Sequence, residues 1–153
     1  MTAATATDPA VDAAIALVEE QLSVVFTRAR QLWKQAAEQI HPDLQPAGYK
    51  VLSTIVRLES TNAHVLADLL DMDKSSVSRQ VRVLEEAGLV ESRPDERDGR
   101  LRVLAPTPVA VERVHAVRER HQARVRRVLE DRAPEELVAF AGMLSLIAEA
   151  PDE

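Results

Sequence analysis

Leu66-Ala67-Asp68-Leu69-Leu70, Asp73-Lys74-Ser75-Ser76-Val77-Ser78-Arg79-Gln80-Val81-Arg82-Val83-Leu84 and Arg93-Pro94-Asp95-Glu96-Arg97-Asp98-Gly99-Arg100 decide the reading of this chain. They predict a short helix, a tight turn, a second helix, and a two-stranded hairpin with an arginine-bearing tip. In the second helix, residues 74–87, a step of about 100° per residue puts Val77, Val81 and Leu84 on one face. Ser75, Arg79 and Arg82 fall on the opposite face, with Ser76 and Ser78 flanking it. One side suits packing on a domain; the other is small, polar or basic and suits a major groove. Residues 89–93 and 101–104 alternate or run apolar, as strands do, around the polar turn 94–99. A helix-turn-helix followed by a basic hairpin is a device for reading duplex DNA.

The flanking sequence extends this frame in both directions. Gly88 closes the 74–87 helix. Asp71-Met72-Asp73 is the turn before it, and Asp73 is placed to cap it. The preceding short helix is expected to turn Val65, Leu66, Leu69 and Leu70 inward. Before it, Ser60-Thr61-Asn62 is a capping turn. Pro46 opens a helix that sets Tyr49, Leu52, Ile55, Val56 and Glu59 over a core. Further upstream, Val11, Ile15, Val18, Leu22, Val25, Ala29, Leu32, Ala36 and Ile40 recur at alternating steps of four and three. That is one stripe on a helix of about thirty residues, roughly 45 Å long. Asp8-Pro9 supplies its cap and first-turn proline, and His41-Pro42 breaks it. The helix is too long to bury its stripe in one small domain, so a partner chain is expected. Downstream, Thr107-Pro108 opens a helix with Val111, Val114, Val117, His121, Val125 and Val128 in one row. Pro134-Glu135-Glu136 opens another, with Leu137, Phe140, Ala141, Leu144 and Ile147 as its apolar face and Pro151 as its end. The fold class expected is mostly α with a small β-hairpin wing: a winged helix-turn-helix with N- and C-terminal dimerisation helices. The division expected is a flexible tail over 1–10, a dimerisation region over 11–45 and 107–150, and a DNA-binding lobe over 46–106.

Composition sets the outer limits. The chain has 153 residues, 46% of them hydrophobic, which is enough for a sizeable core. It has no cysteine, which excludes disulfides, thiolate-bound zinc and thiol redox sensing. The net charge of −6 argues at first against a nucleic-acid partner. The field that matters is local, however. Residues 74–104 hold seven basic and six acidic residues, against twelve and nineteen in the rest. The first ten residues carry neither a basic n-region nor an apolar h-region, so they do not read as a signal peptide. No run approaches the ~20 apolar residues of a membrane span. The expected location is the cytoplasm.

Leu66-Ala67-Asp68-Leu69-Leu70, Lys74-Ser75-Ser76-Val77-Ser78-Arg79, Leu84-Glu85-Glu86-Ala87-Gly88-Leu89-Val90 and Asp98-Gly99-Arg100 resemble the DNA-reading unit and wing motif of the MarR family of bacterial transcription regulators. Thr107-Pro108 falls where that family starts its next helix. The likeness in layout covers residues 11–150, and the motifs span 66–108. Two positions depart from the pattern. Asp71 stands where a glycine is common, and Pro106 stands where an apolar strand residue is usual, which is expected to shorten the outer strand. The resemblance implies an obligate homodimer that binds a palindromic operator, often represses an adjacent gene, and is released by a small, often aromatic or anionic, effector.

Roles follow from side-chain chemistry. Ser75 and Ser76 sit at the helix end that enters the groove, where hydroxyls bond base edges or phosphates. Ser78 belongs to the same DNA-facing set. Arg79 is long enough to reach guanine O6 and N7, and Arg82 is assigned to phosphate. Arg97 and Arg100, on the wing 89–105, suit a narrow minor groove. Asp98 would repel phosphate, so its expected task is to aim Arg100 through a charge-assisted pair. Trp33, His41, Tyr49 and His115 are the polar-aromatic residues assigned to an effector. His64 and Asp68, and Glu112, His115 and Glu119, have helical spacing for metal ligands, but such pairs are common on solvated surfaces. No metal site and no cofactor are expected. No glycine-flanked nucleophile turn or phosphate loop is present, so the chain does not read as an enzyme. The alternatives are a metal-responsive regulator and a winged-helix interaction dimer that does not bind DNA.

Overall fold

The computed structural model describes residues 8–151. The first seven residues of the expected tail lie outside these, while Pro9 and Ala10 already belong to a helix. The elements are α1 (Pro9–Ile40), α2 (Pro46–Leu58), α3 (Ala63–Leu70), α4 (Lys74–Glu86), β1 (Val90–Pro94), β2 (Arg102–Pro106), α5 (Pro108–Leu129) and α6 (Pro134–Ala148). The chain forms two compact units, one ending at Val114 and the other beginning at His115.

The first unit holds the core. Leu52, Ile55, Leu66, Val77, Leu84 and Val114 are fully enclosed. Gly48 lets α2 approach its neighbours. A Cβ there would lie 2.5 Å from Leu44 Cδ1 and 3.0 Å from Gln80 Oε1 on α4. Local chemistry sets most helix ends. The Asp8 carboxylate accepts from the Ala10 N–H, with Pro9 in the first turn of α1. Asn62 caps α3 by accepting from the His64 and Val65 N–H groups. Gly88, at φ +67°, closes α4 in the left-handed region. The Arg113 guanidinium on α5 donates to the Ile40 carbonyl at 2.7 Å. It thereby supplies a cation to the end of α1, whose last turn has no basic residue of its own.

The structure corrects several inward assignments. On α3 the buried side chains are Leu66, Ala67 and Leu70, while Val65 and Leu69 are exposed. A two-turn helix offers more than one apolar row, and here α4 and α2 select the row. Glu59 is exposed and ends α2 with φ 62° instead of facing the core. On α1 only Ala36, Ala37 and Ile40 of the long helix are buried.

Pro106 does not shorten the outer strand. β1 and β2 pair antiparallel from Val90↔Pro106 to Pro94↔Arg102. The Thr107 N–H donates to the Leu89 carbonyl at 3.0 Å, and the Asp95 N–H to the Leu101 carbonyl at 2.9 Å. These bonds bracket the strands, so both Pro94 and Pro106 occupy non-hydrogen-bonded pairs. At those positions a missing N–H leaves no gap in the ladder. The far edge of β2 is also engaged, because Leu104 exchanges both backbone bonds with Thr61.

Asp71 stands at φ 50°, ψ 50°, where glycine is free and other residues are strained. Replacing it by glycine is expected to raise stability by up to about 1 kcal/mol, since relief of strain outweighs the added chain entropy. Urea unfolding with an unchanged m-value would report this. An unchanged or lower midpoint would show that the Asp71 side chain relieves its own backbone.

Candidate nucleic-acid interface

α4 is held by one face and free on the other. Val77, Val81 and Leu84 are buried, whereas Ser75, Ser78, Arg79 and Arg82 are exposed and Ser76 is half-buried. The helix starts in a compact polar network. One Asp73 carboxylate oxygen accepts from the Ser76 N–H at 2.8 Å and from the Ser75 hydroxyl. The other accepts from the Ser76 hydroxyl at 2.6 Å. Arg79 Nη2 in turn donates to the Ser76 hydroxyl at 3.3 Å. Four side chains are therefore linked in one chain of bonds. The serine hydroxyls, the Ser76 N–H and the Arg79 charge hold the Asp73 carboxyl well below the usual carboxylate range. Arg82 lies one turn further and pairs with Glu86 at 3.0 Å; both are well exposed.

The wing tip is built from aspartate turns. Asp95 Oδ1 accepts from the Arg97 and Asp98 N–H groups at 2.8 and 2.9 Å. These bonds draw the Asp95 carboxyl below its ordinary value. Asp98 Oδ1 accepts from the Arg100 N–H at 3.0 Å. Among the described residues no ion pair joins the Asp98 carboxylate to the Arg100 guanidinium, so the expected aiming contact is replaced by a backbone one. The reason is geometric. Residues 95–101 form a turn between the strands, so the alternation that puts residues two apart on one strand face does not apply. Behind the tip, Arg102 clamps β1 by donating to the Ser92 hydroxyl and carbonyl, both at 2.8 Å.

Asp95 and Arg102 were missed by sequence reasoning. For Asp95 a signal existed: an aspartate followed at once by polar turn residues and a glycine marks an Asx turn. For Arg102 none did, because its partner is set by cross-strand register.

The structure brings Asp73, Ser75, Ser76 and Arg79 together, and it sets Arg97, Asp98 and Arg100 on one exposed tip. The residues assigned to an effector lie on separate elements. Trp33 is 53% exposed on α1. His41 is half-buried beyond the end of α1, its Nδ1 accepting from the Asp43 N–H at 3.3 Å. Tyr49 is half-buried on α2, and His115 is exposed on α5. None of the four lines the open cleft of the second unit, which Glu119, Gln122, Val125, Arg126, Leu129 and Leu137 help to form. His64 and Asp68 pair at 3.4 Å on an exposed helix face. Among the described residues no three histidine, aspartate or glutamate side chains gather to hold a metal ion.

Residues 43–101, which span α2 to the wing, match the MarR family model. This segment is a MarR-family domain. The chain as a whole has the winged-helix fold of solved MarR-type structures. It superposes on FabT of Streptococcus pneumoniae, solved in complex with DNA, with a TM-score of 0.80 at 16% identity, covering 88% of this chain and 95% of that one. For YusO of Bacillus subtilis the TM-score is 0.65 at 22% identity, with coverages of 92% and 98%. For a MarR mutant of E. coli complexed with operator DNA it is 0.64 at 19% identity, with coverages of 87% and 94%. Comparison with curated proteins found no match. Within this segment α3 and α4 form the helix-turn-helix, and β1 with β2, which follows the segment, forms the wing. No helix of the described residues is long and apolar enough to cross a membrane.

Proposed function

We propose that this protein is a homodimeric transcriptional regulator of the cytoplasm, a repressor that binds a palindromic DNA operator. α4 enters the major groove with Ser75, Ser76, Ser78, Arg79 and Arg82, while Arg97 and Arg100 of the wing reach the minor groove. Asp98 shapes the tip that carries them. The observation that carries this reading is the division of α4 into a buried apolar face and an exposed serine–arginine face, followed by an exposed arginine-bearing hairpin. The DNA complexes among the structural neighbours support it. Dimerisation is supported by apolar side chains left uncovered on α1 and, in the second unit, on α6, which has no buried residue.

A gel shift with the DNA upstream of the protein's own gene tests the reading. A retarded band that random-sequence competitor does not remove is expected; equal competition by random DNA would overturn it. A small aromatic or anionic effector is proposed to release the DNA, with Trp33, His41, Tyr49 and His115 as the residues assigned to it. Trp33 is the single tryptophan, so its fluorescence reports such binding directly.

Asp98→Ala is expected to weaken operator binding about 3–10-fold, because the turn holding Arg100 loses one hydrogen bond. Asp98→Asn keeps an acceptor for the Arg100 N–H and removes a negative charge, so it is expected to bind at least as tightly as the parent. Operator titrations at one fixed salt would compare them. Tighter binding by Asp98→Ala would show that the Asp98 charge matters and its turn does not.

A further inference from the structure

We infer that Asp73 fixes the hydrogen-bond polarity of Ser75 and Ser76, making them acceptors that select an amino-bearing base, adenine or cytosine, at one position of each half-site. The inference rests on the DNA reading proposed above, which supplies the ligand; the network supplies the direction of readout.

A serine hydroxyl has one proton and two lone pairs, and its polarity depends on where the proton points. Here both protons point at one carboxylate: the Ser75 and Ser76 hydroxyls each donate to Asp73. A carboxylate only accepts when ionised, and its bond from a hydroxyl is charge-assisted. The carboxyl is held below the usual range, so it stays ionised wherever the protein is folded near neutral pH. The Ser76 hydroxyl also accepts from Arg79, which leaves it one lone pair. The Ser75 hydroxyl, exposed, keeps two lone pairs and has no proton left to give.

An acceptor-only hydroxyl cannot donate to a phosphate oxygen, to guanine O6 or N7, or to thymine O4. In the major groove the donors it meets are the N6 amino group of adenine and the N4 amino group of cytosine. An unconstrained serine would take either polarity. Asp73 removes that freedom, and it does so without touching DNA itself. It is a positioning residue for specificity, distinct from its service as the cap of α4.

Asp73→Asn separates the two tasks. Asparagine caps a helix as well as aspartate does, so its Oδ1 still serves the Ser76 N–H. Its amide nitrogen takes the place of Oδ2 and donates to the Ser76 hydroxyl, which frees the Ser76 proton to face the DNA, while Ser75 still donates to Oδ1. Selection from random duplex pools is expected to give adenine or cytosine at the Ser75 position for the wild type. Asp73→Asn is expected to admit guanine or thymine at the base facing Ser76 and to leave the Ser75 position unchanged, with circular dichroism confirming the fold. In titrations, deleting the amino group, by placing unsubstituted purine for adenine or 2-pyrimidinone for cytosine, is expected to weaken the wild type roughly 5–10-fold. At the base facing Ser76 the same deletion is expected to weaken Asp73→Asn less than about 2-fold. Ser75→Ala, which leaves Asp73 in place, is expected to lose the amino-group dependence as well and serves if Asp73→Asn does not fold. Identical base preferences in wild type and Asp73→Asn, or an amino-deletion penalty that survives in Ser75→Ala, would overturn the inference while leaving DNA binding intact. Failure of the wild type to select any sequence would instead remove the DNA reading and this inference with it.

Discussion

Replacing Val18 and Val25 together by aspartate is expected to leave a particle of 16.9 kDa in light scattering, where the parent is expected to give twice that mass. It is also expected to weaken operator binding by about 10²–10⁴-fold. Both valines lie on the α1 stripe and are at least half exposed in the single chain, at 50% and 58%. Val11, Ile15 and Phe26 on the same helix are exposed to a similar degree. So long an apolar row is not a stable surface in water, and obligate dimers of this size commonly bury over ~2,000 Å². Aspartate there places unpaired carboxylates in the proposed contact, where desolvation is costly. The large effect on DNA binding has a separate origin. In the proposed dimer two linked heads would meet the proposed palindrome with the second contact made intramolecularly, an advantage that a monomer lacks. Retention of the dimer mass would show that α1 is not the interface. A monomer that binds the operator undiminished would show that each chain reads DNA alone.

Arg79→Ala and Arg82→Ala are expected to differ in kind. Arg79 is placed beside the serines on the exposed face of α4 by its bond to the Ser76 hydroxyl. Its loss is expected to cost about 1–3 kcal/mol of specific binding and to relax one base position per half-site. Arg82 is instead paired with Glu86 on the exposed helix surface. Such a pair is worth at most about 1 kcal/mol, so phosphate displaces it readily. Arg82→Ala is therefore expected to weaken all sequences alike and to reduce the salt slope by about one unit per head. Glu86→Gln frees Arg82 and is expected to tighten binding to any duplex. Titrations over a salt series, on the selected sequence and on a scrambled one, would check this. The same sequence profile and the same salt slope in both arginine variants would remove the distinction between base reader and phosphate clamp.

Elements were legible wherever their cause is local. Asp8 and Pro9 start α1, Asp73 starts α4 and Gly88 ends it, because caps and left-handed turns act within a few residues. The inward face of α4 was legible too: Val77, Val81 and Leu84 form its one apolar row, and all three are buried. α3 was not, since Leu66 and Leu69 are equally apolar and only the neighbouring helices decide that Leu66 is enclosed and Leu69 is not.

By itself, then, the sequence determined the order of helices and strands, the two faces of α4 and the hairpin. Periodicity and capping are properties of neighbouring residues. Tertiary structure decided the contacts that local capping and periodicity do not reach. Pro106 is tolerated because strand register puts it at a non-hydrogen-bonded pair. Asp98 holds a backbone N–H and not a guanidinium because a turn breaks strand alternation. Arg113 reaches the end of α1 across 73 residues of chain. The Pro106 and Arg113 contacts depend on directions and distances between segments far apart in sequence, which no local pattern encodes; the Asp98 bond spans only two residues, and the turn geometry alone sets it apart from a strand contact.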